Sequence, residues 1–305
     1  MSSLASSRAT TRAATKVPAP EQLGRGRAVR NSLATVLVWG AFLLALVPLV
    51  WILYAVVTQG WSLLASVDWW SRSQAGITPR RVGGGAYHAI VGTLLTAFVT
   101  LIIAVPIAVF TAIYLVEYGR GRFARVVSFM VDILTGIPSI VAALFIYAVW
   151  ITTLGQRREG FAVSLALTLL MIPVVVRSTE EMLKLVPNEL REASYALGVP
   201  KWKTITSIVL PTAASGIITG VLLGLARVMG ETAPLIILAP YTTFINANLF
   251  NGPIAALPTL ILDNFGQPLP AALDRMWGAA LTLILLVLLL NLAGRLVARF
   301  SSVAR

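Results

Sequence analysis

Charge is scarce in this sequence, and some of it falls where charge is expensive. Arg227 and Glu231 stand four residues apart between two charge-free runs, 204–226 and 232–262. On one continuous helix that spacing puts them on the same face, close enough to pair. Counted from Thr212 at ~1.5 Å per residue, Arg227 lies roughly 22 Å along such a helix, past the middle of a bilayer. A charge there costs at least ~2.5–3.5 kcal/mol on insertion scales, so the pair should face a bundle interior or a water-filled path. Two uses are open. The pair could fix helix packing, or Arg227 could lower the barrier for an anion that Glu231 competes with, Thr232 lying alongside. Asp132, near the start of another apolar segment, and Arg177, with Glu180 and Glu181 just beyond the run 160–176, read as interfacial or solvated groups. Arg177 could also attract an anion at an inner mouth. His88 reads as interfacial.

Other chemistry is missing. The chain has no Cys and one His, which excludes disulfides, thiolate metal sites, cysteine nucleophiles and a histidine metal cluster. No Gly-x-x-x-x-Gly-Lys-Ser/Thr loop occurs, so a nucleotide cradle is not expected on this chain and energy must come from a gradient or a partner. The net charge of +12 would suit a nucleic-acid binder, but the basic residues are distributed by loop. They crowd the first 30 residues, the turn with Arg120, Arg122 and Arg125, the loop from Arg177 to Lys203, and the C-terminus. This is the pattern that orients membrane spans, with both termini cytoplasmic, and nucleic acid is not expected.

The elements that must position these residues are spans. Of 305 residues 57 % are hydrophobic and 12 % charged, with a mean hydropathy of +0.84, too little polar surface for a water-soluble body. Charge-free runs at 31–67, 82–116, 133–156, 160–176, 204–226, 232–262 and 276–294 mostly approach or exceed the roughly 20 residues that cross ~30 Å of hydrocarbon. We expect an all-α, polytopic bundle of about six crossings. Residues 1–30, poor in large apolar side chains, read as a disordered cytoplasmic tail, and 31–87 as a retained first span with an outer loop whose Trp61, Trp69 and Trp70 suit an interfacial belt. Span three carries a Gly136-Ile137-Pro138-Ser139 break, and span four (161–176) is short. On span five Gly216, Gly220 and Gly224, extended by Ala213, form a small-residue ridge for close helix packing, and Pro234 ends its regular part. Beyond it, Asn246, Asn248 and Asn251-Gly252-Pro253 suggest a turn and then a short lid helix over 254–262, a plausible dock for an external binding protein.

The loop between spans four and five reads as a helix of about ten residues with a built-in stop. Asn188 suits the N-cap, Glu189 the first turn, Gly198 a left-handed C′ position, and Pro200 forbids continuation. Leu190, Ala193, Ser194 and Leu197 fall at i, i+3, i+4 and i+7 and make a narrow face that could dock in a groove or lie on the chain's own bundle.

Here the sequence resembles a family. Glu192-Ala193-Ser194, then Gly198 after three residues and Ile208-x-Leu210-Pro211 after nine more, is similar to the EAA loop (here 188–211) of permease subunits in ATP-binding-cassette importers. Ser194 replaces the second Ala, small for small. Gly136-Ile137-Pro138-Ser139-Ile140-Val141, the run from Val176 to Leu183, Lys201-Trp202-Lys203-Thr204-Ile205 and Arg227-Val228-Met229-Gly230-Glu231-Thr232-Ala233-Pro234 resemble, within that superfamily, the A-type permeases of phosphate importers. Sulfate or molybdate importers are the near alternative, and a gradient-driven carrier or channel is a more distant one. The resemblance covers about 88–299. It implies a type I importer core and a coupling helix (Leu190, Glu192, Ala193, Ser194, Leu197, Gly198) seated on a dimer of a separate ATPase that binds ATP and Mg. It also implies a second, C-type permease beside this one, an extracytoplasmic phosphate-binding protein, and no catalysis or cofactor on this chain.

Overall fold

The computed structural model describes residues 25–303, so most of the expected tail 1–30 lies outside the described residues. Arg25 to Arg30 are helical rather than tail: they begin α1 (Arg25–Leu64). The short α2 (Val67–Ser71) leads to α3 (Tyr87–Ile113), which continues as a π-helical segment, Tyr114–Tyr118. Next come α4 (Gly121–Gly136), α5 (Ser139–Ile146) with its π-helical extension Tyr147–Thr153, and α6 (Gly160–Lys184). The loop helices α7 (Asn188–Ala196) and α8 (Lys201–Thr204) precede a third π-helical segment, Ile205–Val209, and α9 (Leu210–Met229). Then follow α10 (Ala233–Leu238), α11 (Leu257–Phe265) and α12 (Pro270–Val303), with no strand among the described residues.

Among the described residues five helices, α1, α3, α6, α9 and α12, are long and apolar enough to cross a membrane, α3 with its π-helical extension and α9 with the segment from Lys201. The expected third span is two helices, α4 and α5 with its extension, bent by 109° at the break between them. Pro138 removes a backbone donor, and Ile137 before it is extended, with ψ 127°, as the residue before a proline prefers. The expected short fourth span is also longer. A charge-free run stops at Arg177, but the helix continues without a break to Lys184.

The chain divides into two units after Tyr54. In the first, the side chains of α1 are almost all exposed and apolar, as a helix surrounded by lipid requires. In the second, α6 is the central helix: 67 % of its apolar window is buried, against 22–28 % for α3, α9 and α12. Small residues make that possible. Ala97, Thr100, Ala104, Ala108 and Ala112 form the buried stripe of α3, and Thr100 Oγ1 donates to Ser164 O while Ser164 Oγ donates to Thr96 O, both at 3.3 Å. The α9 glycine ridge faces α6 of this same chain: a Cβ on Gly216 would meet Met182, and one on Gly220 would come within 1.9 Å of Ser178 Oγ.

Two residues near the opposite end from the α7 loop, Trp69 and His88, depart from the interfacial reading, and Arg275 is buried there as well. Trp69 is fully buried, its Nε1 donating to Thr282 Oγ1 at 2.9 Å, whereas Trp61 and Trp70 are exposed. His88 is buried, and among the described residues neither ring nitrogen has a hydrogen-bond partner. Arg275 is bonded from Nε to Asn264 Oδ1 (3.0 Å) and through its terminal nitrogens to Arg81 O (2.8 Å) and Pro79 O (3.2 Å). Burial pushes the neighbouring Asp263 carboxyl up, and Arg275 opposes that shift.

Gly220→Val should cost roughly 1–3 kcal/mol by overpacking the α6–α9 contact. Leu223→Val, on the exposed side of the same helix, should change little. Thermal unfolding of the two purified variants in detergent checks the difference; equal melting temperatures would contradict the close approach.

Candidate functional site

The α7 loop is built around a sharp stop and a buried arginine. Gly198 adopts φ +75°. Its N–H bonds to Tyr195 O at 2.9 Å and the N–H of Val199 to Ser194 O at 3.2 Å, the paired bonds of a Schellman motif. At the start Pro187, not Asn188, is the cap residue, and no side chain caps the first turn. Asn188 is the first helical residue, and its Oδ1 accepts a long bond from Arg191 at 3.4 Å.

One side of α7 is fastened to the bundle. Ser194, buried, shares a 2.8 Å hydrogen bond with Thr204 Oγ1. Arg191 donates from Nε (3.1 Å) and a terminal nitrogen (2.9 Å) to Glu117 Oε1. Its remaining donors reach the carbonyls of Val186 (2.6 Å) and Leu183 (2.9 Å) at the end of α6. The two side chains are 12 % and 5 % exposed, so the pair is withdrawn from water. Lys201, past the Gly198 stop, donates to Glu117 O and stands 4.7 Å from the Tyr118 ring centroid. The other side is free: Leu190, Glu192, Ala193 and Tyr195 are exposed, and Leu197 is 83 % exposed. Of the expected docking face, then, Ser194 turns inward while Leu190, Ala193 and Leu197 point out. Arg191 and Glu117 were not expected as partners. They lie 74 positions apart, and only the buried polarity of a basic residue beside the motif hints at its role.

The charges inside the apolar segments fall into two groups. Arg177 donates to Asp132, to Glu180 Oε2 (2.7 Å) and to the carbonyl and hydroxyl of Ser128 (3.0 and 3.1 Å). Glu180 is buried, with Lys184 at 3.8 Å. Arg177 and Glu180 are therefore not a solvated face: they bind α4 to α6 in a nearly neutral cluster. The second group is Arg227, Glu231 and Thr232. α9 ends at Met229 and Gly230 turns the chain, so Glu231 lies past the helix and the i, i+4 geometry does not hold. Among the described residues Arg227 and Glu231 form no ion pair with each other or with any other group. Arg227 is exposed, and Glu231 and Thr232 are half-buried. A groove of about 660 Å³ between α9 and α12 is lined by Ala226, Gly230, Asn291 and Arg295 among mostly apolar neighbours; Arg227 is not part of its lining.

Residues 104–302 match the family model described as binding-protein-dependent transport system inner membrane component. A phosphate transport system permease protein PstA of Mycobacterium leprae is 57 % identical over 88 % of this chain and 88 % of its own length. PstA 1 of Mycobacterium tuberculosis is 53 % identical over 92 % of this chain and 91 % of its own. PstA of Yersinia pestis is 40 % identical over 89 % of this chain and 90 % of its own. Among solved structures, a bacterial importer of the acidic polysaccharide alginate shares the fold with a TM-score of 0.60 at 15 % identity, covering 88 % of this chain and 96 % of that one. The inward-facing MetNI methionine transporter does so with a TM-score of 0.55 at 21 % identity over 71 % of this chain and 94 % of that one. A helical bundle with several membrane-crossing helices, an EAA-type loop and relatives of this similarity along most of its length place the chain in the family of binding-protein-dependent transport system inner membrane components, as a multi-pass permease.

Proposed function

We propose that this chain is the permease subunit of an ATP-driven importer of inorganic phosphate. The observation that carries the reading is the α7 helix, fastened on one side through Arg191 and Ser194 and bare on the other, where Leu190, Glu192, Ala193 and Leu197 are exposed. A short helix held rigidly with an apolar and acidic face outward is the form in which a bundle can be pushed by a docked partner. The partner is a separate ATPase dimer carrying ATP and Mg, and this chain makes and breaks no bonds. The relatives' names supply the substrate, phosphate. Both termini and the α7 loop lie on the cytoplasmic side, in keeping with the basic residues of the tail, of the 120–125 turn and of the loop itself. A phosphate-binding protein docks on the opposite side.

The path runs beside Arg227. An unpaired guanidinium on the surface of one subunit within the membrane needs water, an anion or a second subunit opposite it. A C-type permease facing the exposed side of Arg227 would enclose it in a channel in which it attracts phosphate, with Glu231 and Thr232 next along the chain. Arg177, already neutralised by Asp132 and Glu180, holds the inner end together and contributes at most a weak field to the anion.

Reconstituted with its neighbouring subunits, the protein should take up radiolabelled phosphate in an ATP-dependent manner and leave sulfate and molybdate outside. A preference for either of these would overturn the substrate. Arg227→Gln, at normal expression, should lower uptake at least about tenfold, as expected for one charge-assisted contact of roughly 1.5–3 kcal/mol; undiminished uptake would return Arg227 to a packing role. At the stop of α7, Gly198→Val forces a β-branched residue into the left-handed region at about 1–2 kcal/mol, whereas Asn tolerates it. Gly198→Val should therefore lose phosphate uptake while ATPase capture persists, and Gly198→Asn should keep most of it. Equal uptake by the two would show that the stop does not matter.

A further inference from the structure

We infer that Arg191 is a positioning residue through which the α7 helix is locked to α3, so that motion delivered to α7 reaches the bundle by way of α3 and not along the chain into α9. This rests on the coupling role proposed for α7. Covalently the loop belongs to α6 and α9. Non-covalently it is also held to a third element: Arg191 bonds to the carbonyls of Leu183 and Val186 at the end of α6, but its charged partner lies on the extension of α3. Two cations from opposite ends of the loop, Arg191 before the Gly198 stop and Lys201 after it, converge on one residue, Glu117, taking its carboxylate and its carbonyl respectively. Lys201 also caps the ring of Tyr118. Glu117 and Tyr118 sit in the π-helical segment that ends α3, so the place where α3 is under-wound is the place that is clamped from two directions.

The segment on the other side of the loop is different in kind. Ile205–Val209, which starts α9, is π-helical as well. Among the described residues its side-chain hydrogen bonds are short-range ones, Thr206 Oγ1 donating to Lys203 O and Thr212 Oγ1, from the first turn of α9, donating to Ile208 O at 2.6 Å; no charged group clamps it. A π-helical turn departs from the regular i to i−4 ladder and is frequent at functional sites. With one such turn clamped by two cations and the other held by apolar packing and short-range bonds to its chain neighbours, a push on α7 should carry the end of α3 with it and be taken up at Ile205–Val209. Burial sharpens the lock. Both members of the Arg191–Glu117 pair are nearly out of water, and separating two buried charges is costly unless each finds a new partner. In return, one rigid unit of α7 and the end of α3 is maintained through the cycle.

The chain has no cysteine of its own, which makes the link directly testable. Glu117→Cys combined with Arg191→Cys removes the pair, and a short bifunctional methanethiosulfonate can replace it with a covalent bridge. The full transporter, reconstituted with its ATPase and second permease, is assayed for phosphate uptake per ATP hydrolysed. The unbridged double variant should assemble and hydrolyse ATP while that ratio falls about tenfold, within the range of ordinary coupling energies, and bridging should restore much of it. An unbridged variant with a parental ratio would overturn the inference, and so would a bridge that stops uptake, since α7 would then have to move against α3. Arg191→Lys, which keeps the charge but loses the fork, should fall between the two and guards against misfolding of the double variant; a parental ratio for it and for Arg191→Gln alike would also overturn the inference. If the parental transporter itself imports no phosphate, the proposed function fails and not the link.

Discussion

The orientation of the α7 loop depends on one arginine inserted between two helix ends. The last carbonyls of α6 lack partners within their own helix, as the final turn of every helix does. Arg191 supplies a donor to one of them, at Leu183, and another to Val186 O two residues beyond the helix, and its other short bonds go to Glu117. A fork of five donors on a planar cation satisfies this set where a lysine could not. The energetic meaning of such a buried pair lies less in net stability than in uniqueness, because any rotation of α7 would leave a charge stranded away from water. The outward face of Leu190, Glu192, Ala193 and Leu197 follows from that single placement, and the Schellman stop at Gly198 prevents the helix from running on into a different register.

The frame that holds Glu117 and the end of α6 in reach is made by small residues. In lipid there is little hydrophobic gain from bringing helices together, so close contact and hydrogen bonds between helices must do it. The Ala and Thr stripe of α3 and the glycines of α9 meet α6 from two sides, and the Thr100–Ser164 and Ser164–Thr96 bonds tie the first of these contacts. The charges sort themselves against this frame. Arg177 is surrounded by Asp132, Glu180 and Ser128 and serves cohesion between α4 and α6. Arg227, on a helix of similar apolarity, has no such ion-pair partners among the described residues, and that contrast is the ground for the anion role proposed for it.

Local features were the most legible from sequence. The Gly198 stop, the Pro138 break and the α9 glycine ridge each follow from one residue's steric requirement, and each stands as expected. Readings that used charge as a boundary went astray: α6 runs through Arg177 to Lys184 because a helix tolerates charge wherever partners exist, and Asp132 and Glu180 provide them. The Arg227–Glu231 pair assumed a continuous helix, which Gly230 ends. Trp69 and His88 were read by residue type as interfacial, but the chain folds over both. Least legible was the Glu117–Arg191 contact, because nothing local in either segment names a partner 74 positions away; only the packing of α3 on α6 brings them together.

Distances across the loop in the working transporter test this lock most directly. Spin labels on cysteines placed at Leu197 and Phe110, both exposed, report the separation of α7 from α3, and labels at Leu197 and Leu223 report that of α7 from α9. On trapping the ATP-bound state by pulsed electron resonance in nanodiscs, the Leu197–Phe110 distance should stay within its resting distribution while the Leu197–Leu223 distance shifts outside its own. A shifted first distance with an unchanged second would mean that α7 travels with α9, and the clamp at Glu117 would not be what transmits the motion.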